Sequence, residues 1–569
     1  MLKNLIDVAA GRKKADLILK NLNIVNVLSG EIEKGDIAIF NGIIAGVGSY
    51  DKSNNVIDCK GKYAMPSFID SHVHIESTHL TPSEFAKAVV PHGTAAVIAD
   101  PHEIANVCGI EGIKYIYEQC KNLPLDVNIM FPSCVPATPF ETSGATLSSK
   151  DMDMYLKDEM FFGVGEFMNY PGVINCDSEV IKKLECAKKY NKIIDGHSAG
   201  VVGKDLNAYI AAGIKTDHEC VTASEMVEKI NRGMYVQIRQ GSATKNLEEL
   251  VSGLTAYNMK RCVMCTDDKT PSDLITDGHI DNNIRLAVKC GVPFIHAVAM
   301  ATINAAECYG LKNRGALAVG FAADIALCSD IKKIDITEVY KAGKLVAQNG
   351  KPLFKTTNTI PQNLLNTVNI NTVFPDNFKL KLKSNKAKVI KIIEKNIVTE
   401  KVIREVDAEN GYFIGGEALS KIAVVERHFK TGNIGLGIIE GYGIKDGAVA
   451  LTVAHDSHNI IIVGDNDKDM AVAANGLKEC GGGIIITQNG KTLKILPLEI
   501  AGLLSVKTAN EFASLYSEML KTAYSLGVNK NIEPFMSLSF MSLSVIPHLK
   551  LTDKGLFDVD SFNFTSIEP

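Results

Sequence analysis

Short apolar runs alternate with helical patterns from residue 66 to about residue 310 of this 569-residue chain. Such alternation is typical of βα units, in which helices join parallel strands. Eight runs fit strands of this kind: PSFIDSHVH (66–74), TAAVIADPHE (94–103), VNIMFPSCVPA (127–137), FFGVGEFMN (161–169), KIIDGHSAG (192–200), IKTDHE (214–219), MYVQIRQGS (234–242) and RCVMCTDD (261–268). Eight strands with intervening helices in roughly 250 residues predict an α/β fold built on a (β/α)8 TIM-like barrel.

The sequence on either side of the predicted barrel has a different texture. Residues 1–65 and 311–355 contain short alternating apolar stretches separated by Gly, Asn and Asp, which predict strands of one composite β domain. Residues 356–385 are rich in Asn, Thr and Lys and are expected to form a connector. Residues 386–569 mix strand-like runs with helical patterns, so a separate C-terminal α+β domain is predicted, with the barrel at residues 66–310.

Metal-binding side chains follow several of the predicted strands. In a (β/α)8 barrel the active site lies where the strands end, so these side chains share one rim. They are His72 and His74 after the first strand, Glu166 after the fourth, His197 after the fifth, His218 after the sixth, and Asp267 with its neighbour Asp268 after the eighth. Imidazoles with one or two carboxylates bind a divalent ion that activates water. Because Glu166 has two oxygens, it can bridge two ions, and we predict a binuclear centre.

Composition restricts the partners of this chain. A formal net charge of -5 without a basic stripe argues against a nucleic-acid partner, so the expected partner is a small molecule. The 13 cysteines are scattered through apolar segments, as in a reducing cytoplasm, and no long apolar stretch predicts a membrane span. The first twenty residues break their apolar positions with charges, unlike a signal peptide, which favours a cytoplasmic location.

The motifs resemble those of the amidohydrolase superfamily, whose barrel is accompanied by a β-sandwich built from both flanking segments. More narrowly, the chain resembles the bacterial adenine deaminases in SFIDSHVHIESTHLTPSEFA, ADPHEIANVCG, GEFMNYPGV, DGHSAG, TDHE, IRQGSA, CTDDK and the C-terminal AHDSHN. The resemblance implies hydrolysis of adenine to hypoxanthine and ammonia at Mn²⁺ or Fe²⁺. It assigns the metal ligands to His72, His74, His197, His218 and Asp267, with Glu166 as the bridge where other superfamily members often have a carboxylated lysine.

The expected mechanism needs two proton-transferring groups besides the metal site. Asp267 would take a proton from the attacking water and pass it to the leaving amino group. A ring nitrogen of the purine must also be protonated, but the His-x-x-Glu that serves adenosine deaminases after strand 5 is HSAG in this sequence. Glu103 and Glu219, each beside a rim histidine, are the two alternatives for this acid.

Four further residues are expected to bind substrate, each with an alternative role. His102 is placed at the substrate or metal, or supports a ligand by a hydrogen bond. Arg239 holds a purine nitrogen or forms a salt bridge. His455 and Asp456, in the C-terminal segment that also contains His458, form a lid over the base, a separate metal site or a polar turn.

Two other sequence features bear on alternative sites and chemistries. Cys262 and Cys265 fall inside a predicted buried strand without a second pair, so core thiols are the expected interpretation. The His-x-Glu and Pro-Cys-x-x-Cys signature of cytidine-type deaminases is missing.

The alternative functions are hydrolysis of a cyclic amide, such as a hydantoin or imidazolone, and a non-catalytic binding barrel. The expected assembly is a homo-oligomer.

Overall fold

A computed structural model describes residues 1–394, 396–415 and 418–569. The segment before the barrel contains one helix and five strands, all within described residues: α1 (Leu2–Ala9), β1 (Leu17–Asn26), β2 (Glu31–Phe40), β3 (Ile43–Gly48), β4 (Val56–Asp58) and β5 (Tyr63–Pro66).

The next segment alternates strands and helices. Its elements are β6 (Phe68–Val73), α2 (Pro82–Val89), β7 (Thr94–Ala99), α3 (His102–Cys120), β8 (Asp126–Phe131), α4 (Ser149–Tyr155), β9 (Phe161–Phe167), α5 (Tyr170–Ile174), α6 (Ser178–Lys189), β10 (Ile193–Gly196), α7 (Gly203–Ala211), β11 (Thr216–Asp217), α8 (Ala223–Asn231), β12 (Tyr235–Arg239), α9 (Leu247–Val251), β13 (Cys262–Cys265), α10 (Pro271–Thr276), α11 (Ile280–Lys289), α12 (Phe294–Met300) and α13 (Ile303–Tyr309).

The rest of the chain returns to short strands and then mixes strands with helices. Its elements are β14 (Ile325–Cys328), β15 (Ile336–Lys341), β16 (Lys344–Gln348), β17 (Lys351–Pro352), β18 (Lys386–Ile392), β19 (Thr399–Glu405), β20 (Ala408–Glu409), β21 (Tyr412–Phe413), β22 (Leu419–Val425), β23 (Ile434–Glu440), β24 (Gly447–Leu451), β25 (Ile460–Gly464), α14 (Asp467–Cys480), β26 (Gly483–Gln488), β27 (Lys491–Pro497), α15 (Ala509–Ser525), α16 (Pro534–Ser539), β28 (Leu549–Thr552), β29 (Gly555–Asp558) and β30 (Asn563–Phe564). Single 3₁₀ turns cover Ile75–Thr78, Val90–His92, Asn258–Arg261, Gln362–Leu364, Pro375–Phe378 and Phe540–Ser542.

Strands β6–β13 form the predicted barrel. They are parallel and run in chain order, as one sheet from β6 to β10 and another from β11 to β13. Backbone hydrogen bonds join the two sheets at both edges: Lys215 N–H donates to Ile194 O at 3.0 Å, and Asp267 N–H donates to His72 O at 2.9 Å. Strands such as β7, which reads TAAVIA and is buried throughout, are apolar on both faces because helices cover the outside of the ring. The predicted α/β barrel class is therefore confirmed.

Strands from both sides of the barrel share one sheet. Its order is β17-β16-β15-β14-β5-β1-β2-β3, with β4 beside β1, so segments far apart in sequence meet where β14 pairs antiparallel with β5. After the barrel, a second mixed sheet runs β19-β18-β23-β22-β25-β24-β26-β27, with α14 packed against β24 and β26. Within the described residues, every helix is too short or too polar to cross a membrane.

The segment between these sheets, expected as a connector, packs closely on the C-terminal domain. Val368, Val373 and Phe378 are buried in the apolar cluster that includes α14. The adjoining anchor is Arg427, which is fully buried just after β22. Its guanidinium donates to Thr367 Oγ1 at 3.0 Å, to Ala501 O at 3.1 Å and to the carbonyl oxygen of His458. One cation thus fixes three segments at the face that meets the barrel.

Replacing Arg427 with Met is expected to lower the free energy of unfolding by about 3 to 5 kcal/mol, because buried acceptors lose their donor. Urea unfolding followed by circular dichroism measures the effect. Arg232→Met is the control, since that side chain is 45% exposed and its loss is expected to change stability by less than about 0.5 kcal/mol. Equal stability of the two variants would contradict the anchoring role.

Candidate metal centre

The closing edge of the barrel brings the first and last strand ends together. Asp267 pairs with the backbone of β6: its N–H donates to His72 O, and its carbonyl accepts from His74 N–H at 3.4 Å. Asp70 supports the same edge, because its carboxylate accepts from His72 N–H at 3.3 Å and from Thr266 N–H at 3.1 Å. The two histidines and the aspartate therefore reach the rim side by side.

The first group of ligand atoms converges from these strand ends. His72 Nε2 and His74 Nε2 face each other at 3.1 Å, and Asp267 Oδ1 lies 3.1 Å from His74 Nε2 and 3.7 Å from His72 Nε2. His74 Nδ1–H donates to the backbone carbonyl of Asp100 at 2.9 Å, which leaves the Nε2 lone pair for a ligand role. All three side chains are buried.

The second group surrounds Glu166 at the end of β9. Its Oε2 lies 2.6 Å from His197 Nδ1 and 3.1 Å from His218 Nε2, whereas Oε1 lies 3.4 Å from His74 Nε2. The carboxylate thus has one oxygen towards each group of histidines. This is the arrangement that the predicted bridging role requires.

The donor set fits divalent metal. Two imidazole nitrogens facing each other at 3.1 Å can make at most one hydrogen bond, whereas a cation between them is bound by both. Burial, together with His218 and His74, lowers the pKa of His72 well below its usual value, which keeps the imidazole in the neutral form that binds metal. Metal-binding groups of three can be formed from these residues with all ligand atoms within 4.8 Å of one another.

Arg239 and Glu219 form an ion pair beside this centre. The guanidinium bonds both oxygens of Glu219, at 3.1 Å for Nη2 to Oε2, and donates from Nη1 to Asp267 Oδ2 at 2.8 Å. Burial raises the pKa of Glu219, but Arg239 and His197 together lower it by more than burial raises it. The pKa of Glu219 therefore lies below its usual value. Of its two alternatives, Arg239 takes the salt-bridge role in this structure and orients Asp267.

His102 connects the metal centre to a second cluster. Its Nδ1 lies 3.4 Å from Glu166 Oε1, and its Nε2 lies 3.5 Å from Glu103 Oε1 and 3.9 Å from Asp456 Oδ1. Glu103 accepts from His455 Nδ1 at 2.6 Å on one oxygen and from His458 Nε2 on the other. A barrel carboxylate is therefore held by two histidines of the C-terminal domain.

The side chains of this second cluster are joined by hydrogen bonds whose donors and acceptors can be assigned. Ala454 N–H donates to His458 Nδ1 at 3.2 Å, so that nitrogen is an acceptor and Nε2 carries the hydrogen that Glu103 accepts. A metal ion at Nε2 would leave this ring without a proton on either nitrogen. The geometry therefore favours hydrogen bonds over the separate metal site that the AHDSHN motif left open.

A cavity lies between the metal centre and the C-terminal domain. Its polar wall includes His74, Glu166, His197, His218 and Asp267 of the rim as well as Glu103, Glu219, Arg239, His455 and Asp456. Its apolar wall is formed by Met168, Ile397, Phe540, Leu543 and Ile546, and His455 stacks on Phe540 with ring centroids 4.5 Å apart. The cavity thus combines polar groups with an apolar wall, as binding sites for aromatic small molecules do.

Two kinds of residue in the site have no assigned role in the sequence analysis. Asp100 accepts from Glu166 N–H at 2.8 Å in addition to its backbone bond with His74, and its position in the DPHE motif at the end of a strand could have indicated this. Apart from Met168, the residues of the apolar wall, for example Phe540, carried no signal, because they lie far from the barrel in sequence. Asp268 also lines the cavity, and Ser77 Oγ–H donates to its Oδ1.

Comparisons with known proteins identify the family. A sequence model of the amidohydrolase family matches residues 63–346, and one of the adenine deaminase C-terminal domain matches residues 396–563. The chain is 49% identical to an adenine deaminase of Clostridium acetobutylicum over 98% of its own length and 99% of the relative's. It is 47% identical to an adenine deaminase of Nitratidesulfovibrio vulgaris strain Hildenborough, over 100% and 99% of the two chains. The chain belongs to the adenine deaminase family of the amidohydrolase superfamily.

Proposed function

We propose that this protein hydrolyses adenine to hypoxanthine and ammonia at a binuclear centre of Mn²⁺ or Fe²⁺. The observation that carries the proposal is the position of Glu166 between two groups of buried histidines, at one end of a cavity with an apolar wall. Full-length identity to proteins named adenine deaminases supports the substrate. Neither the cyclic-amide alternative nor the non-catalytic one is favoured by these relatives.

The proposed ligands are His72, His74, His197, His218 and Asp267, with Glu166 as the bridge. A divalent metal held by these residues would lower the pKa of a water molecule and so supply the nucleophile for C6 of the purine at neutral pH. Asp267 accepts a proton from this water and gives it to the amino group, which leaves as ammonia. Arg239, bound to Asp267 Oδ2, keeps the other oxygen directed to the reacting atoms. The apolar wall excludes bulk water from the base.

The remaining predictions concern the enzyme in the cell. We propose a cytoplasmic homo-oligomer that acts on a free base and binds neither nucleic acid nor a membrane. The formal charge of -5 supports the small-molecule substrate, since it offers no electrostatic attraction to polyanions.

Replacing Asp267 with Asn is expected to lower kcat about 10²–10⁴-fold, because the amide cannot accept the proton of the attacking water. Loss of adenine absorbance and release of ammonia measure the rate. Asp268→Asn is the comparison, and its loss is expected to be at least about tenfold smaller. If Asp268→Asn were the more damaging substitution, the assignment would move to Asp268.

Replacing Glu166 with Gln is expected to reduce the metal content of protein produced with Mn²⁺ from about two ions per chain to one or fewer, because the amide offers one ligand oxygen instead of two. Elemental analysis of the purified protein measures this. Glu141→Gln is a matched control, since Glu141 is also buried but does not line the cavity. A Glu166→Gln protein with two bound ions per chain would refute the bridging role.

A further inference from the structure

The proposed deamination needs an acid for the purine ring, and the inference below rests on that function. Attack at C6 breaks the aromatic system and places negative charge on a ring nitrogen, which must be protonated in the same step. A suitable acid must line the cavity, must be able to carry a proton, and must have an oxygen that no other group occupies.

Neither carboxylate expected from the sequence meets these requirements. Both oxygens of Glu103 accept hydrogen bonds from His455 and His458, and both oxygens of Glu219 are bonded by Arg239. Burial raises the pKa of Glu103, but these two histidines and His102 bring it well below the usual value. The two glutamates are thus ionised, and their oxygens are already occupied.

Asp456 differs from both glutamates in its surroundings. It lines the same cavity and is 2% exposed. Among the described residues, no donor bonds its Oδ2, and the nearest imidazole nitrogen to its Oδ1, His102 Nε2, is 3.9 Å away. A buried carboxylate without donors is unstable as an anion and is stabilised when it carries a proton. The proton then needs an acceptor within the cavity, and a lone pair of a purine ring nitrogen is one.

We propose that the carboxyl group of Asp456, supplied by the C-terminal domain, is the acid that protonates the purine ring, and that Glu103 is a positioning residue that acts through His455 and His458. Burial is the main effect that raises the pKa of Asp456, to about 6. Glu103 and Glu166 also raise this pKa, whereas His102 and His455 lower it. The raised pKa supports the role of an acid. Burial, together with Asp456, raises the pKa of the neighbouring Glu141 to about 8, so this carboxyl is neutral beside Asp456 and Glu141→Gln leaves its charge unchanged.

The proton count of the step balances. As the water oxygen bonds to C6, Asp456 gives its proton to the ring nitrogen, and Asp267 takes one proton from the water. The C6–N bond then breaks as Asp267 returns its proton to the amino group, and ammonia leaves. The remaining hydroxyl proton passes to Asp456 through solvent, which restores the acid and leaves the C6 carbonyl of hypoxanthine.

The backbone around Asp456 is fixed from both sides. Arg427 holds the carbonyl oxygen of His458, and the two histidines that flank Asp456 bond Glu103 of the barrel. Ser542 Oγ–H donates to the carbonyl of His455 at 3.1 Å, which ties the same segment to the apolar wall. These bonds hold Asp456 at the cavity although no hydrogen bond to its own Oδ2 does so among the described residues.

Steady-state kinetics of the metal-loaded, full-length Asp456→Asn protein test the proposal. Its amide still donates a hydrogen bond, so we expect KM for adenine within about fivefold of wild type but kcat lowered about 10²–10⁴-fold. Because the acid acts in its protonated form, wild-type kcat/KM falls as pH rises through the pKa of the acid, and this basic limb is expected to be absent from Asp456→Asn. Metal content and thermal unfolding should match wild type.

Glu141→Gln is the matched control, with an expected kcat within about threefold of wild type. Asp456→Asn with kcat near wild type would overturn the proposal, as would loss of the basic limb in Asp268→Asn but not in Asp456→Asn. If Asp456→Asn does not fold, Asp456→Glu decides: the basic limb shifts if residue 456 is the acid, and an unchanged limb refutes it. Failure of the metal-loaded wild type to deaminate adenine would instead refute the proposed function.

Discussion

The backbone hydrogen bonds that join β6 to β13 are the constraint on which the site depends. They close the ring at the residues that supply ligand atoms, since Asp267 N–H donates to His72 O and Asp267 O accepts from His74 N–H. Without this closure the last strand end would have no fixed position relative to the first. The rest of the rim follows from it, because parallel strands in a closed ring all end on one side.

Charge compensation explains how so many ionisable groups are buried at this rim. An ionised carboxylate inside a protein requires cationic or hydrogen-bonding partners on its oxygens. Glu166 has histidines at both oxygens, Glu219 has Arg239, and Glu103 has two histidines of the C-terminal domain. Asp456 stands outside this pattern, because its Oδ2 has no donor within the described part of the chain. Oδ1 of Asp100 also lacks a hydrogen-bond partner, but Asp456 is the one of the two that lines the cavity, so we infer that the partner of Asp456 is the substrate.

The sequence was sufficient to predict the barrel and the convergence of its polar strand ends, for a physical reason. A regular (β/α)8 repeat converts position along the chain into position around a ring, so His72 and Asp267 could be expected to meet although they are far apart in sequence. Even the shortest strand, β11 at Thr216–Asp217, lies within its predicted run. No such repeat relates the barrel to the C-terminal domain, so the pairing of Glu103 with His455 depends on tertiary packing that no local pattern encodes.

The difference between a local repeat and tertiary packing also explains why the acid that protonates the purine ring could not be identified from sequence. Glu103 and Glu219 were natural alternatives because each stands beside a rim histidine, but proximity in sequence gives no information on whether a carboxylate is already paired. The histidines and Arg239 of the barrel rim keep the pKa values of Glu166 and Glu219 below their usual values, which suits metal binding and is unsuited to proton donation. An acid on a separate domain, buried and without a donor on one oxygen among the described residues, can keep its proton although His102 lies 3.9 Å from its other oxygen. We therefore infer that the C-terminal domain closes the cavity and also provides the electrostatic environment that the barrel cannot.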